Sequence, residues 1–438
     1  MTTRQALQQQ FFEMLMESQF WSADELLAYQ RDQLSHLLRH AKANAPFYAN
    51  RLDGVVQPNG DIDWDRWRDI PIVTRRDMIE RREAMQALKL PPGHGPVSVM
   101  RTSGSTGQPI SVTVNAAGGI AQAGFRWRVH EWQQLDWART LCSALGDEQH
   151  AETWPEGEPL GFWGPPWTAE AKLGGAWKVS RAWLSGPLLA FMAEHRCAYL
   201  NTGPRTANVN AHEAVRLGID IKIDAVLAQG NVVHDSDRDI VKRVFGGRLI
   251  EHYSSKEAGQ IAHPCPHDRL HVNVEGCLLE VVDDDGEPVR PGETGRVIVT
   301  PFMQTAQPLI RYEQGDLATL GRPCSCGRQS PTLEAVLGRS MSIFRHPDGR
   351  TITKMMPEVT ATLLNCSYFQ LAQVAPNGYE LRYVPRDWDE PIDESEVARL
   401  FRQLYFDDAE LRFVRRQTVI PRQGGKLVEY VNEWAAQP

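Results

Sequence analysis

The segment from Thr102 to Pro109 reads TSGSTGQP and lies between Val97-Ser98-Val99-Met100 and Ile110-Ser111-Val112-Thr113-Val114, two runs with the period-two alternation of strands. A glycine–hydroxyl loop joining two strands is a sharp restriction, because the common phosphate loop feeds a helix and ends in a Lys-Ser/Thr pair. Here Gln108-Pro109 and a strand follow instead, which disfavours a kinase-type or GTPase-type loop. Unobstructed backbone N–H groups at Gly104 and Gly107, with hydroxyls at Thr102, Ser103, Ser105 and Thr106, suit an anionic polyphosphate. Taken alone, the loop fits a polar hairpin turn equally well.

With 438 residues and 42% hydrophobic content the chain can bury a large core across two or three domains. A net charge of -8 offers no bulk attraction to nucleic acid or anionic lipid, so the expected partner is a small molecule. Arg4 and Glu13 interrupt the apolar residues of the N-terminus, and no stretch is apolar for long enough to span a bilayer. The expectation is a cytoplasmic protein, monomeric or homodimeric. Seven cysteines spread over so long a chain argue for metal ligation or simple burial over a disulfide framework.

Ser22 and Glu25 form a capping box ahead of Leu26, Leu27, Leu34, Leu37 and Leu38, which predicts a helix that Ala45-Pro46 stops. From about residue 97 to 300, short apolar strands such as 198–200 and 224–228 alternate with helical stretches, the rhythm of an α/β fold. Residues 283–288 read as a turn and 295–300 as a strand. A break falls near Gly338-Arg339. Beyond it a helix is expected around Glu394 to Tyr405, a strand at 418–420 and a loop at Gly424-Gly425-Lys426.

Three further features bear on the loop. Tyr253-Ser254-Ser255-Lys256-Glu257 follows Arg248-Leu249-Ile250, which predicts a ring and a carboxylate just past a strand end, where α/β sheets place ligands. A ring can stack on a base and a carboxylate can hold magnesium beside phosphates. Asp316, after Gly315, can accept hydrogen bonds from a ribose diol. Lys426 is a cation in a glycine-rich loop, able to meet developing negative charge. Each segment alone also reads as an ordinary solvated turn.

It is the order TSGSTGQP, YSSKE, RYEQGD, GRS and GGK that resembles the adenylate-forming superfamily of acyl-CoA synthetases and nonribosomal adenylation domains. His40 to Tyr48, Ile70 to Asp77 and Cys324 to Arg328 resemble segments of its phenylacetate-CoA ligase branch. The resemblance implies a large α/β N-terminal domain of mixed sheets flanked by helices, residues 1–338, and a small, mobile α+β C-terminal domain, 339–438. It implies that ATP activates a carboxylic acid as acyl-adenylate, and that the thiol of coenzyme A then takes the acyl group. An amine or a carrier-protein thiol is the alternative acceptor, and a non-catalytic nucleotide-binding scaffold the alternative of another class. By position, Thr102, Ser103, Gly104, Ser105, Thr106 and Gly107 would hold phosphates, with Ser254 and Lys256 nearby. Tyr253 would stack on adenine beside Gly230, Glu257 would bind magnesium, Asp316 and Arg339 would serve the ribose, and Lys426 would bridge acid and α-phosphate. Glu257 and Lys426 are the expected catalytic residues.

The sequence departs from the family pattern at named positions. Gln108 stands where the loop usually ends in Lys, two positions of the Tyr-Gly-x-Thr-Glu pattern are altered at Ser254 and Lys256, and Gln314 replaces a Thr. Lys256 is expected to restore the charge that Gln108 lacks. Met341 and Ser342 follow the Gly-Arg-Ser motif where an acidic hinge is usual, which weakens the expectation of domain rotation.

Cys265, His271, Cys324 and Cys326 supply three thiols and one imidazole, a full tetrahedral set for structural zinc, with His263 and His267 as competing ligands. Members of the phenylacetate-CoA ligase branch resemble this arrangement. Reduced thiols in a surface turn are the alternative. The aromatics of Gly161 to Trp167 and of Gly174 to Trp177 fall where the family often places its acyl pocket, implying an aromatic or apolar acid. Core packing explains them equally.

Overall fold

The computed structural model describes residues 2–101, 110–146, 156–180, 185–339, 344–348, 350–352, 356, 359–389, 391–405, 408–417 and 429–434. The TSGSTGQP loop, Ser340 to Ser342, the strand expected at 418–420 and the Gly-Gly-Lys loop with Lys426 lie outside the described residues. For Arg339 only the backbone is described.

The chain opens with α1 (Thr3–Ser18) and α2 (Ala23–Asn44), each started by a capping box, at Thr2/Gln5 and at the expected Ser22/Glu25. Ala45, in extended conformation before Pro46, ends α2 as anticipated. After α3 (Arg75–Glu80) come β1 (Val97–Arg101) and β2 (Ser111–Asn115), paired antiparallel from Val97↔Asn115 to Arg101↔Ser111. The loop is therefore held between two strands, as its flanks require.

The centre of the chain is one twelve-stranded sheet. Following α4 (Ala116–Trp132), its members are β3 (Thr140–Gly146), β4 (Glu158–Phe162), β5 (Gly175–Ser180), β6 (Cys197–Thr202), β7 (Ala225–Gln229), β8 (Arg248–Ser255), β9 (Gly259–Pro264), β10 (Leu270–Val272), β11 (Cys277–Val282), β12 (Thr294–Pro301), β13 (Tyr312–Leu320) and β14 (Thr332–Arg339). Helices α5 (Ser185–Glu194), α6 (Pro204–Leu217) and α7 (Asp235–Phe245) cross between strands β5 to β8. The spatial order is β11-β12-β13-β14-β10-β9-β8-β7-β6-β3-β5-β4. Strands β5, β3, β6, β7 and β8 run parallel, and everything from β9 to β11 is antiparallel.

Strand β8 is the seam. Residues 248–252 pair parallel with β7, whereas Tyr253 to Ser255 pair antiparallel with β9. Two apolar cores flank it, one under α2 and the antiparallel strands, the other among α5, α6, α7 and the parallel strands. A smaller body follows: β15 (Phe344–Arg345) with β16 (Thr351–Ile352), α8 (Val359–Leu363), β17 (Cys366–Gln373), β18 (Gly378–Pro385), α9 (Ser395–Leu404), β19 (Glu410–Arg415) and β20 (Tyr430–Asn432). Strands β19-β18-β17-β20 form its sheet over a separate core that includes Phe344, Phe401 and Tyr430. No helix among the described residues is long and apolar enough to cross a membrane.

One buried ion pair locks α1 and α4 to the antiparallel half. Arg128 reaches Glu275 with contacts of 2.7 and 3.2 Å, while Asn273 accepts from the same guanidinium and Ser18 donates to Glu275 at 2.6 Å. Both charged side chains are 2% exposed. Glu275→Ala leaves a buried guanidinium uncompensated and is expected to destabilise the protein by about 3–5 kcal/mol. A thermal or urea transition unchanged in this variant would contradict that reading.

Candidate active site

A cavity of about 600 Å³ opens beside the seam in the sheet. Its walls come from β1 and β2, from the Gln122 face of α4, from Gln229-Gly230-Asn231 after β7 and from Ser254-Ser255-Lys256. Ligand pockets in open α/β sheets form where strand order reverses, which here is between β6 and β3, and Leu145 of β3 and Thr202 of β6 also line the cavity. Gly230 has φ +90°, a conformation that favours glycine and lets the chain turn away at the cavity wall.

The YSSKE segment departs from expectation in one respect. Tyr253 and Ser254 are inside β8, not beyond its end. The Tyr253 ring is 8% exposed, packs in the core under α2, and is not among the residues lining the cavity. Its visible task is different from stacking: the hydroxyl donates to Asp316 Oδ2 at 2.9 Å. Asp316 in turn sits on β13 directly opposite Arg339 of β14. The three segments that carry Tyr253, Asp316 and Arg339 thus converge.

Gln314, the residue replacing the usual Thr, accepts from Ser255 Oγ at 3.1 Å and so ties β13 to the end of β8. Ser255 Oγ also accepts from the N–H of Ala258, closing the turn that holds Glu257. Glu257 is 2% exposed, its carbonyl accepting from cavity-lining Gln304. No described residue pairs with its carboxylate. Lys256 extends to the carbonyl of Arg101 at 2.6 Å, the last residue before the TSGSTGQP loop. That contact places the Lys256 ammonium at the entrance of the loop lacking its usual cation.

On the opposite wall Arg205, at the start of α6, pairs with Asp237 at 2.6 Å and with Glu429 at 3.2 Å. Glu429 belongs to the C-terminal body, three residues beyond Lys426. Burial raises the Glu429 carboxyl to a pKa of about 7, since Arg205, shared with Asp237, offsets only part of the desolvation. A carboxyl raised in the folded state contributes stability that is complete below its unfolded value near 4.5 and is lost as pH climbs through 7. Between pH 5 and 8 wild type is therefore expected to lose on the order of 2 kcal/mol relative to Glu429→Gln. Glu251, also raised to about 7 by burial, titrates in both proteins, so the difference between their melting profiles isolates Glu429. Parallel profiles would refute the assignment.

The tryptophans at 163, 167 and 177 are structural. Trp163 packs on His130 and Tyr199 and donates to the Arg139 carbonyl; Trp167 packs on Phe12 and Trp127; Trp177 on Phe191 and His195. None lines the cavity.

Away from the cavity, Cys265, His271, Cys324 and Cys326 bring their ligand atoms within 4.8 Å of one another. Cys265 Sγ and Cys324 Sγ are 3.8 Å apart, and Cys326 Sγ is 3.3 Å from His271 Nε2. A tetrahedron with Zn–S of about 2.3 Å has sulfur–sulfur edges of about 3.8 Å. The other nitrogen of His271 is engaged by Ser330 at 3.0 Å, the outer contact that fixes a ligating imidazole. The competing histidines are elsewhere: His263 is buried against Gln260 and Asn273, and His267 sits near Ser325.

No protein-family model matches the sequence. A phenylacetate-coenzyme A ligase of Thermus thermophilus is 25% identical over 337 residues, covering 72% of this chain and 71% of that protein. A 2-hydroxyisobutyryl-CoA ligase, solved in a postadenylation state with an acyl-AMP, superposes with TM-score 0.69 at 18% identity over 95% of this chain and 91% of the other. An anthranilate CoA ligase bound to anthranoyl-AMP gives 0.52 at 12% identity over 83% and 73%. The chain has the fold of the adenylate-forming superfamily and is similar in sequence, over most of its length, to the superfamily's phenylacetate-CoA ligase branch.

Proposed function

We propose that the protein is an AMP-forming acid–thiol ligase, with ATP, a small carboxylic acid and coenzyme A as substrates. A carboxylate oxygen attacks the α-phosphorus, the bond from that phosphorus to the bridging oxygen breaks, and pyrophosphate leaves. The coenzyme A sulfur, losing its proton, then attacks the acyl carbon and AMP departs. The observation that carries this reading is the meeting of Tyr253, Asp316 and the Arg339 backbone beside a cavity walled by Gly230 and Ser254 to Lys256. In this reading Asp316 accepts from the ribose diol and Tyr253 orients Asp316. Residues Thr102 to Gly107 wrap the phosphates, and Lys426 bridges the acid and the α-phosphate.

Glu257 fits a magnesium ligand because a buried carboxylate without a described cation partner needs a positive charge beside it. The ion would neutralise charge on the phosphates. The Cys₃His cluster fits structural zinc, with all four positions filled by protein and none left for chemistry. We place the domain boundary at 338/339, within the last residues of β14 and ahead of the separate C-terminal core that starts at Phe344.

Acid-dependent exchange of labelled pyrophosphate into ATP across a broad acid panel tests the first half-reaction. Absence of exchange throughout would favour a non-catalytic scaffold. Adding coenzyme A, and separately amines, to the active mixture identifies the acceptor. Lys256→Met is expected to raise the KM for ATP roughly tenfold, the worth of one hydrogen bond from a charged donor. An unaltered KM would remove Lys256 from the phosphate site.

A further inference from the structure

Among the described residues four cations line the cavity, and they are not equivalent. Arg205 is tied to Asp237 and Glu429, and Lys256 to the Arg101 carbonyl. Arg4 on α1 and Arg126 on α4, a helix packed along α1, make no hydrogen bond or ion pair with any described residue. Arg126 is exposed on the cavity wall, although the protein packed around it desolvates the guanidinium enough to lower its pKa.

The setting of Arg126 is a polar layer inside the fold. Gln122, Arg126 and His130 stand at four-residue intervals on one face of α4, and that helix packs against β9. Gln122 accepts from the Gln260 N–H at 2.6 Å, and both glutamines line the cavity. Deeper along the same layer lie His130, His252 and His263, linked by ring contacts of 6.5 and 5.0 Å. Burial keeps all three neutral, with Arg126 opposing their protonation further. His130 Nδ1 and His252 Nε2 are buried and without partners. No carboxylate in this layer answers the Arg126 charge among the described residues. The Glu275 carboxylate is already taken by Arg128.

A guanidinium exposed on the cavity wall with no described partner is free to take an anion from a bound ligand. Its planar fork matches a carboxylate bidentately. We infer that the acid activated here is dicarboxylic, with one carboxylate presented to ATP and the other held by Arg126 on the cavity wall that also carries Gln122 and Gln260. This rests on the ligase reading above. It replaces the aromatic or apolar acid implied by family resemblance, whose tryptophans are not at the cavity.

Matched acid pairs test it, using the intact protein and pyrophosphate exchange: glutarate against valerate, and isophthalate against benzoate. Wild type is expected to show a KM for the diacid at least about tenfold below that for the monoacid, as one charged hydrogen-bonded contact implies. Arg126→Met is expected to abolish that ratio and Arg126→Lys to retain part of it, both with wild-type melting temperature. Exchange that prefers the monoacids in wild type, or a diacid preference that survives in Arg126→Met, overturns the inference while leaving the ligase reading intact. No exchange with any of these four acids also overturns the inference, whereas only its absence across the broad panel counts against the ligase reading.

Discussion

Lys426→Ala is expected to cut acid-dependent pyrophosphate exchange by on the order of 10³, with the KM for ATP moving by less than about threefold. Two anions, the carboxylate and the α-phosphate, must be brought into line, and the charge on the phosphate oxygens grows as they react. A cation that meets this charge only in the transition state acts on kcat, not on ground-state binding. Lys426 lies outside the described residues, and the described chain resumes at Glu429. Glu429, three residues on, is paired with Arg205 in the cavity wall, and Tyr430 starts β20, parallel to β17. The same variant should still convert a preformed acyl-adenylate and coenzyme A to thioester at near wild-type rate, because that step needs no help at the α-phosphate. Exchange within about tenfold of wild type would take Lys426 out of the catalytic set.

The frame of the fold could be read from local chemistry. The Ser22/Glu25 capping box, the Ala45-Pro46 stop, the alternating strands and the turn at 283–288 are short-range signals, and each appears where the sequence places it. The order of the strands could not be read in this way. That β8 changes partner midway, from β7 to β9, depends on contacts among segments far apart in sequence, and no periodicity carries them. This is why Tyr253 was expected past a strand end and is found within the strand. The same blindness affects its role, because burial of the ring against the core under α2 is a tertiary fact.

The candidate site divides in a similar way. Residue types with narrow chemistry, such as Asp316 after Gly315 and the Cys₃His set, could be picked out because few alternatives use that combination. Arg126 could not: one arginine in a helix reads as a solvated face until the cavity beside it is known. Gln314 looked like a lost family residue and is instead the acceptor joining RYEQGD to YSSKE. The aromatic segments stay open between pocket and core in the sequence because tryptophan packs equally well in both, and the contacts of Trp163, Trp167 and Trp177 fall on the side of packing.

The largest stability effect should come from the metal. Tag-free protein is expected to carry about one zinc per chain, and Cys326→Ser to lose it and melt at least about 5 °C lower. The argument is geometric. Cys265 opens the turn between β9 and β10, His271 lies on β10, and Cys324 and Cys326 belong to the connection from β13 to β14. Two residue pairs join β10 to β14, and Arg328 of the connection reaches Gln19 and packs on Trp132, so the cluster is one of few ties between that connection and the hairpin. Without the ion, three thiols and an imidazole crowd within 4.8 Å with nothing to bind them. The connection feeds β14, whose far end sets Arg339 opposite Asp316. Zinc loss should therefore also raise the KM for ATP, although no ligand atom of the cluster lies in the cavity wall. Protein free of zinc with an unchanged melting temperature would reduce the cluster to a set of reduced thiols. Zinc present, but lost without effect on ATP binding, would confine it to the hairpin alone.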